Sequence, residues 1–296
     1  MWRFCRPFSS KSIQGVRTDN FSSERSLHDI KAERQDPSMQ LQEMAYGLIL
    51  GICAVVLVMC VIAAIMSENI RNTVIASVAY KRAFALHMNI FSHLYNKALR
   101  KRKEELFALM KKNLQTVKGE KLILEIGAGT GANFEFLPEG SFLIALDPNA
   151  HMEPYLEENV KKFSHVHLNK FVCGPAENMH VIPDDSVEAV VCTLTLCSVE
   201  DLRATLAEIT RVIKPGGHFY FLEHVADESG TWRNTFQHKL ENLWKYFGDG
   251  CSCTCQTWTF LDNAGFSQVH YEKFLMSGLR VICYLMRPHI VGYAVK

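Results

Sequence analysis

From Lys121 onward, short apolar runs alternate with helical stretches, and this alternation limits the possible folds more than any other feature. The runs are Lys121–Ile126, Ser141–Asp147, Val166–Cys173, Val187–Thr193 and Gly217–Glu223, with candidate helices at Gly131–Leu137, Ala150–Lys161 and Asp201–Ile213. Strands covered on both faces read as near-continuous apolar runs, and the helices between them supply the crossovers that parallel strands require. The expected fold is therefore α/β, a doubly wound sheet over residues 119–296. No internal repeat interrupts that region.

The first run ends in Leu124-Glu125-Ile126-Gly127-Ala128-Gly129-Thr130-Gly131, just before a helical stretch. Glycines at such a turn let the backbone approach a ligand, and a helix N-terminus offers free N–H groups. Gly127, Gly129 and Ala132 also satisfy the dinucleotide pattern, so a dehydrogenase stays open on the turn alone. Glu125 would repel a pyrophosphate but can hold the loop or a ligand ammonium group. Asp147 ends the second run before Pro148, where a carboxylate can accept both hydroxyls of a ribose. Gly174-Pro175-Ala176-Glu177 follows the third run, Thr193 ends the fourth, and Arg211-Val212-Ile213-Lys214-Pro215-Gly216-Gly217 leads into the fifth.

Taken in register, these residues resemble the class I S-adenosylmethionine-dependent methyltransferases. The resemblance implies a Rossmann-like seven-stranded sheet whose last strand, near His289–Val295, forms an antiparallel hairpin with Gln268–Leu275. It implies S-adenosylmethionine as cofactor, with Gly127 and Gly129 at the methionine moiety, Asp147 at the ribose and the Ala176–Glu177 turn at the adenine. Glu125, Gly131, Pro148 and Thr193 complete the expected cofactor site. Many relatives place Asp or Asn where Pro175 stands, so adenine recognition should rest on the Ala176 backbone, on Glu177 or on stacking. Leu124–Phe134, Val191–Val199, Phe219–Val225 and Arg287–Lys296 narrow the match. They look like the membrane-associated thiol S-methyltransferases of endoplasmic reticulum and lipid droplets. That resemblance runs from roughly residue 70 to the end, and implies small alkyl thiols as substrates, including hydrogen sulfide and thiol drugs or metabolites.

A thiol acceptor is chemically reasonable. Thiolate attack on a sulfonium annihilates charge, which a dry pocket favours, and a thiol with a pKa of about 8.5 needs only modest help to ionise. Candidate catalytic helpers are His224 and Glu223 at the end of the fifth strand and Cys197 after the fourth. Side chains alternate along a strand, so only one of Glu223 and His224 is expected to face the site. Cys251, Cys253 and Cys255 lack a second Cys/His pair in sequence, so no metal is expected there. Trp232, Phe236, Leu240, Trp244 and Phe247 recur at helical spacing, and the stripe is expected to pack on the sheet rather than roof the acceptor pocket.

Upstream, Ala45–Met66 carries no charge and is long enough, at about 30 Å as a helix, to span a hydrocarbon core. It begins too far from Met1 for an ordinary cleaved signal peptide. We expect a membrane anchor helix, flanked by a polar tail over residues 1–44 and an amphipathic, basic linker over 67–118. In the linker, Phe84, Met88, Phe91, Tyr95 and Ala98 suit a helix lying on a membrane surface with Arg100-Lys101-Arg102-Lys103 toward anionic headgroups, and an ordinary solvated helix face is the alternative. Location at the endoplasmic reticulum or a lipid droplet follows, with the catalytic domain in the cytosol. The cationic, acid-free start before Asp19 leaves mitochondria as the lesser alternative.

Lys and Arg total 32 against 31 Asp and Glu, which gives no global attraction to nucleic acid. Ten scattered cysteines in 296 residues do not make a disulfide scaffold. The expected function is methyl transfer to a small, lipophilic thiol, with a membrane lipid as the other partner. Methylation of a lipid or quinone, and a catalytically silent recruitment role on lipid droplets, are the alternatives.

Overall fold

A computed structural model describes Val58, residues 68–277 and residues 284–296. The expected tail and, apart from Val58, the uncharged run Ala45–Met66 lie outside the described residues. Among the described residues no helix is long and apolar enough to cross a membrane.

Among the described residues two helices precede the sheet, α1 (Glu68–Ala76) and the 37-residue α2 (Val78–Leu114), which begins at a Ser77 cap that accepts the Tyr80 N–H. The strands are β1 (Lys121–Ile126), β2 (Ser141–Asp147), β3 (Val166–Cys173), β4 (Val187–Thr193), β5 (Ile213–His224), β6 (Gln268–Leu275) and β7 (Pro288–Val295). Between them lie α3 (Glu153–Val160), α4 (Leu202–Val212), α5 (Trp232–Phe247) and α6 (Thr257–Leu261). The seven strands run in the order β3-β2-β1-β4-β5-β7-β6. β1 to β5 are parallel, and β7 is antiparallel to both β5 and β6, which gives the expected terminal hairpin.

The order reverses between β1 and β4, and at such a switch point the loops after the carboxyl ends diverge to leave a crevice. Alternation along the strands sends Ile123, Leu143, Val191 and Leu222 to one core, and Leu124, Ile144, Val190 and Phe221 to the other. α2 covers the first through Leu99, Leu106, Phe107, Met110 and Leu114, and α4 covers the second through Leu202, Leu206, Ile209 and Val212. Both faces are therefore dry, as uninterrupted apolar strands require.

Several expectations need correction. Gly131–Leu137 is not an α-helix: Gly131 adopts φ +81°, which breaks a right-handed helix, and only Phe134–Phe136 forms a 3₁₀ turn. β5 begins four residues earlier than the expected Gly217, because the Lys214–Gly217 segment stays in the strand as an irregularity, with Gly216 at φ +77°. Of the aromatic stripe of α5, Trp244 alone packs against the core. Trp232, Phe236, Leu240 and Phe247 are exposed, whereas the buried positions are polar, Arg233 and Gln237. Gln237 Nε2 donates to Leu285 O and its Oε1 accepts the Asp227 N–H, so the helix is fixed by hydrogen bonds.

The basic run of α2 is not uniformly exposed. Arg100 pairs with Glu104 and Glu135, Arg102 makes a two-pronged contact with Glu272, and Lys103 is buried. The row Phe84–Ala98 is half-buried against the protein, and the exposed apolar row is Val78, Leu86, Ile90 and Leu94.

Candidate active site

The glycine turn is drawn onto β2 by backbone bonds from Gly127 N and Ala128 N to Leu146 O, at 2.8 and 3.1 Å. Gly127 adopts φ +65°, and a Cβ there would lie 2.0 Å from Thr195 Oγ1. Only glycine fits that position, both for its backbone and for its contact with the loop after β4. Gly129, at φ +53°, has no atom nearer than 3.9 Å to a built Cβ, so the turn is open on that side.

Asp147 is buried at the carboxyl end of β2. Its Oδ2 accepts the Gly129 N–H at 3.0 Å and its Oδ1 accepts the Asn149 N–H at 2.9 Å. Each oxygen keeps a second acceptor direction. Burial raises its pKa to about 6, against these two bonds. The cap of the turn at Ala150–Met152 is Asn149, whose Oδ1 accepts the His151 N–H, and not Asp147. Pro148 is exposed beside it.

Beneath the turn lies a buried polar network. Lys103 Nζ donates to Asn133 Oδ1 at 2.7 Å and to Asn96 Oδ1 at 2.6 Å. Asn133 Nδ2 donates to Glu125 Oε1 at 2.7 Å and to Thr193 Oγ1 at 2.9 Å. Glu125 Oε2 is buried with no hydrogen-bond partner. Burial pushes the Glu125 carboxyl up to about 7 and the Lys103 ammonium down to about 8. A cation reaching Glu125 Oε2 would satisfy the orphaned oxygen and favour the ionised form.

Glu177 is committed elsewhere than expected: Oε1 accepts the Glu200 N–H at 2.6 Å and the Asp201 N–H at 3.2 Å. It fixes the loop entering α4, whose own cap is Asp201. Ala176 is buried against the second core. Glu223 is likewise a loop anchor. Its Oε2 accepts the N–H groups of Thr195 and Leu196 at 2.9 and 3.1 Å, and burial raises its pKa to about 7. The loop it holds carries Leu194 at φ +58°, a conformation a non-glycine residue adopts at some cost.

His224 points the other way along β5, as alternation requires, and meets two cysteines. Its Nε2 lies 2.9 Å from Cys251 Sγ, and Cys197 Sγ is 3.4 Å from the same sulfur. Trp244 Nε1 donates to Cys251 Sγ at 3.1 Å. Burial would raise the Cys251 thiol, but the Cys197 bond, the His224 charge and the Trp244 bond bring it well below the usual range. Cys253 instead donates to Gln237 O at 3.3 Å, and Cys255 sits 3.3 Å from Thr257 Oγ1.

Sequence reasoning did not single out Lys103, Asn133, Thr195 or Trp244 as site residues. Asn133 stands inside the quoted glycine motif, and an amide there was the available signal. Lys103 was hidden in a basic run, Thr195 stands inside the quoted Val191–Val199 motif, and Trp244 stands out only as part of the aromatic stripe.

Residues 124–221 match a methyltransferase domain family. The chain is 40% identical over 219 residues to the human thiol S-methyltransferase TMT1A, covering 73% of this chain and 87% of that one. It is 40% identical over 222 residues to the human thiol S-methyltransferase TMT1B, with the same coverage. Among solved structures, the [4+2]-cyclase SpnF aligns with a TM-score of 0.51 at 16% identity, covering 73% of this chain and 96% of that one. That likeness shows the fold alone.

Proposed function

Because the chain belongs to the thiol S-methyltransferase family of S-adenosylmethionine-dependent methyltransferases, we propose that it methylates a small, lipophilic thiol. The observation that carries the reading is the pairing of a fixed, open glycine turn with the orphaned Glu125 oxygen and the Asp147 carboxylate at one switch point. Those groups suit a ligand that is cationic at one end and carries a ribose in the middle. Glu125, Gly127, Gly129, Gly131 and Thr193 would hold its methionine end, Asp147 and Pro148 the ribose, and Ala176 the adenine. Glu177 would contribute by shaping the loop.

The bound sulfonium supplies an electrophilic methyl group. This chain's residues do the rest by position and by exclusion of water. Glu125 takes the ammonium group, Asp147 fixes the ribose and the glycine turn together, and Glu223 holds Thr195 against Gly127. An acceptor sulfur placed beside that loop sits in a low-dielectric site, where a thiolate meeting a cation is favoured over either charge alone.

The anchor and the location belong to the same reading. Ala45–Met66 would hold the chain at the endoplasmic reticulum or a lipid droplet, with the catalytic domain in the cytosol and lipid as a partner. Supporting this, Val78, Leu86, Ile90 and Leu94 form an exposed apolar row at four- and eight-residue spacing, with Ile90 62% exposed.

Transfer of labelled methyl from S-adenosylmethionine to a panel of thiols, phenols and lipids tests the function. Labelled thioethers should dominate. Label in lipids or phenols with none in thiols would replace the thiol reading by the lipid or quinone alternative.

A further inference from the structure

The mechanism above leaves one buried nucleophilic cluster unused. Cys197, His224 and Cys251 come from the loop after β4, the end of β5 and the loop after α5, and their sulfur and nitrogen atoms all lie within 4.8 Å of one another. We propose that these three residues bind a zinc ion and that its open fourth position takes the acceptor thiol. This rests on the thiol-methylation reading.

The donor set and its spacing argue for a metal. Catalytic zinc sites use three protein ligands and keep one position free, and two thiolates with one imidazole is an established combination. Zinc–sulfur bonds of about 2.3 Å and zinc–nitrogen bonds of about 2.0 Å require ligand atoms roughly 3.6–3.8 Å apart. The sulfurs stand at 3.4 Å, and His224 Nε2 stands 2.9 Å from Cys251 Sγ. With all three ligand atoms within 4.8 Å of one another, side-chain shifts of about 1 Å would complete the tetrahedron. Two thiolates and a neutral imidazole also cancel the charge of the ion, which is what allows it to be buried.

The surroundings fit as well. Trp244 Nε1–H already donates to Cys251 Sγ, and such an outer bond stabilises a metal-bound thiolate. His289 lies directly opposite His224 across β5 and β7, with ring centroids 6.3 Å apart. Its Nδ1–H donates to Arg287 O, so its Nε2 is a bare acceptor, and both that nitrogen and His224 Nδ1 are buried without partners. Metal on Nε2 would leave the ring proton of His224 on Nδ1, so that nitrogen would be a donor.

The cluster is placed for the reaction. Thr195, which touches the glycine turn, is two residues before Cys197 on the same loop. Cys197 also lines a cleft of about 500 Å³ together with Leu196, Ser252 and Cys255, a route for a small thiol. The acceptor R–SH would bind as thiolate, its proton leaving to solvent, because a coordinating thiol is deprotonated by the ion. A sulfur lone pair then forms the new S–CH₃ bond as the sulfonium's methyl–sulfur bond breaks. The products are the methyl thioether and neutral S-adenosylhomocysteine, with no net oxidation or reduction.

The test is metal analysis of the full-length protein purified without chelator, followed by cobalt(II) replacement. The expected result is about one zinc per chain, a tetrahedral cobalt–thiolate spectrum, and a change in that spectrum when ethanethiol is added. Cys197→Ser and Cys251→Ser should each lower metal affinity by about a hundredfold or more, while Cys253→Ser keeps it. Wild-type protein that stays metal-free in equimolar zinc and gives no cobalt–thiolate bands would overturn the site, whatever the variants do. Equal thiol methylation by metal-free and metal-loaded protein would overturn the metal's role and leave the methyltransferase reading standing. Metal binding and a response to ethanethiol without methyl transfer to any thiol would overturn both the acceptor role and the thiol reading.

Discussion

Asp147 clamps Gly129: the carboxylate at the end of β2 accepts the N–H of the glycine turn at 3.0 Å, and its other oxygen accepts that of Asn149 at 2.9 Å. One side chain thus shapes the turn and presents the remaining lone pairs to the crevice.

Asp147→Ala should therefore cost both stability and affinity. The buried Asn149 N–H and the half-buried Gly129 N–H lose their acceptor, worth roughly 2–3 kcal/mol in stability. Loss of two charge-assisted bonds to a ribose should weaken S-adenosylmethionine binding by about 10²–10⁴-fold. Asn149→Ala removes the cap, about 1 kcal/mol, and should leave affinity nearly unchanged. Thermal melts and calorimetry on the two variants check this. An Asp147→Ala protein that binds as tightly as the parent would take the residue out of the site.

Cofactor binding should release protons near neutrality. Burial holds the free Glu125 carboxyl up to about 7, and a bound ammonium group favours its ionised form, so binding at lower pH must displace a proton. Affinity should fall by up to tenfold per unit as pH drops below about 7. Asp147, raised to about 6 by burial, adds to the same trend at lower pH, and Lys103 beside the network stays charged below about 8. Calorimetry in buffers of different ionisation enthalpy measures the release. Glu125→Gln should abolish the component near pH 7 and keep the weaker one near 6. A proton count unchanged by that substitution would contradict the assignment.

Much of this fold was legible in the sequence. β1 to β4 and β6 appear with the expected ends; β1, β2 and β4 are covered on both faces and leave apolar runs such as Leu122–Leu124 and Val190–Cys192, whereas β3 and β6 are the largely exposed edge strands. The β6–β7 hairpin followed from the family resemblance. What was illegible depends on side chains that meet from distant parts of the chain. Nothing near Lys103 announces Asn133, 30 residues away, and Cys251 meets Cys197 across 54 residues. The face of α5 was misjudged because aromatic spacing normally marks the core, whereas here Arg233 and Gln237 hold the helix by polar bonds and leave all of the stripe but Trp244 outside.

Glu223 was a candidate catalytic helper, but its bonds to Thr195 N and Leu196 N make it a positioning residue. Glu223→Ala should cost about 2–5 kcal/mol, roughly 5–15 °C in Tm. Glu223→Gln keeps a carbonyl acceptor, and should recover most of the stability and most of the methyl transfer. A stable but inactive Glu223→Gln protein would restore the residue to the chemistry.

Membrane attachment is testable separately from catalysis. The full chain should remain in the membrane pellet after carbonate extraction, and a chain starting at Glu68 should leave it. Replacing Leu86, Ile90 and Leu94 by Gln should then reduce any peripheral binding of the shortened chain to vesicles by about a hundredfold or more, since each buried apolar side chain contributes about 1.5–3 kcal/mol. Full-length protein in the carbonate supernatant would count against the anchor, and protection of the domain from protease in intact microsomes would reverse the orientation.

The most direct test of thiol methylation is a single turnover with trideuteromethyl S-adenosylmethionine and an alkanethiol, with both products quantified by mass spectrometry. The account predicts trideuteromethyl thioether and S-adenosylhomocysteine appearing together at one to one, at a rate that Asp147→Ala suppresses under subsaturating cofactor. S-adenosylhomocysteine formed without the thioether, or neither product from a folded protein that binds the cofactor, would contradict it.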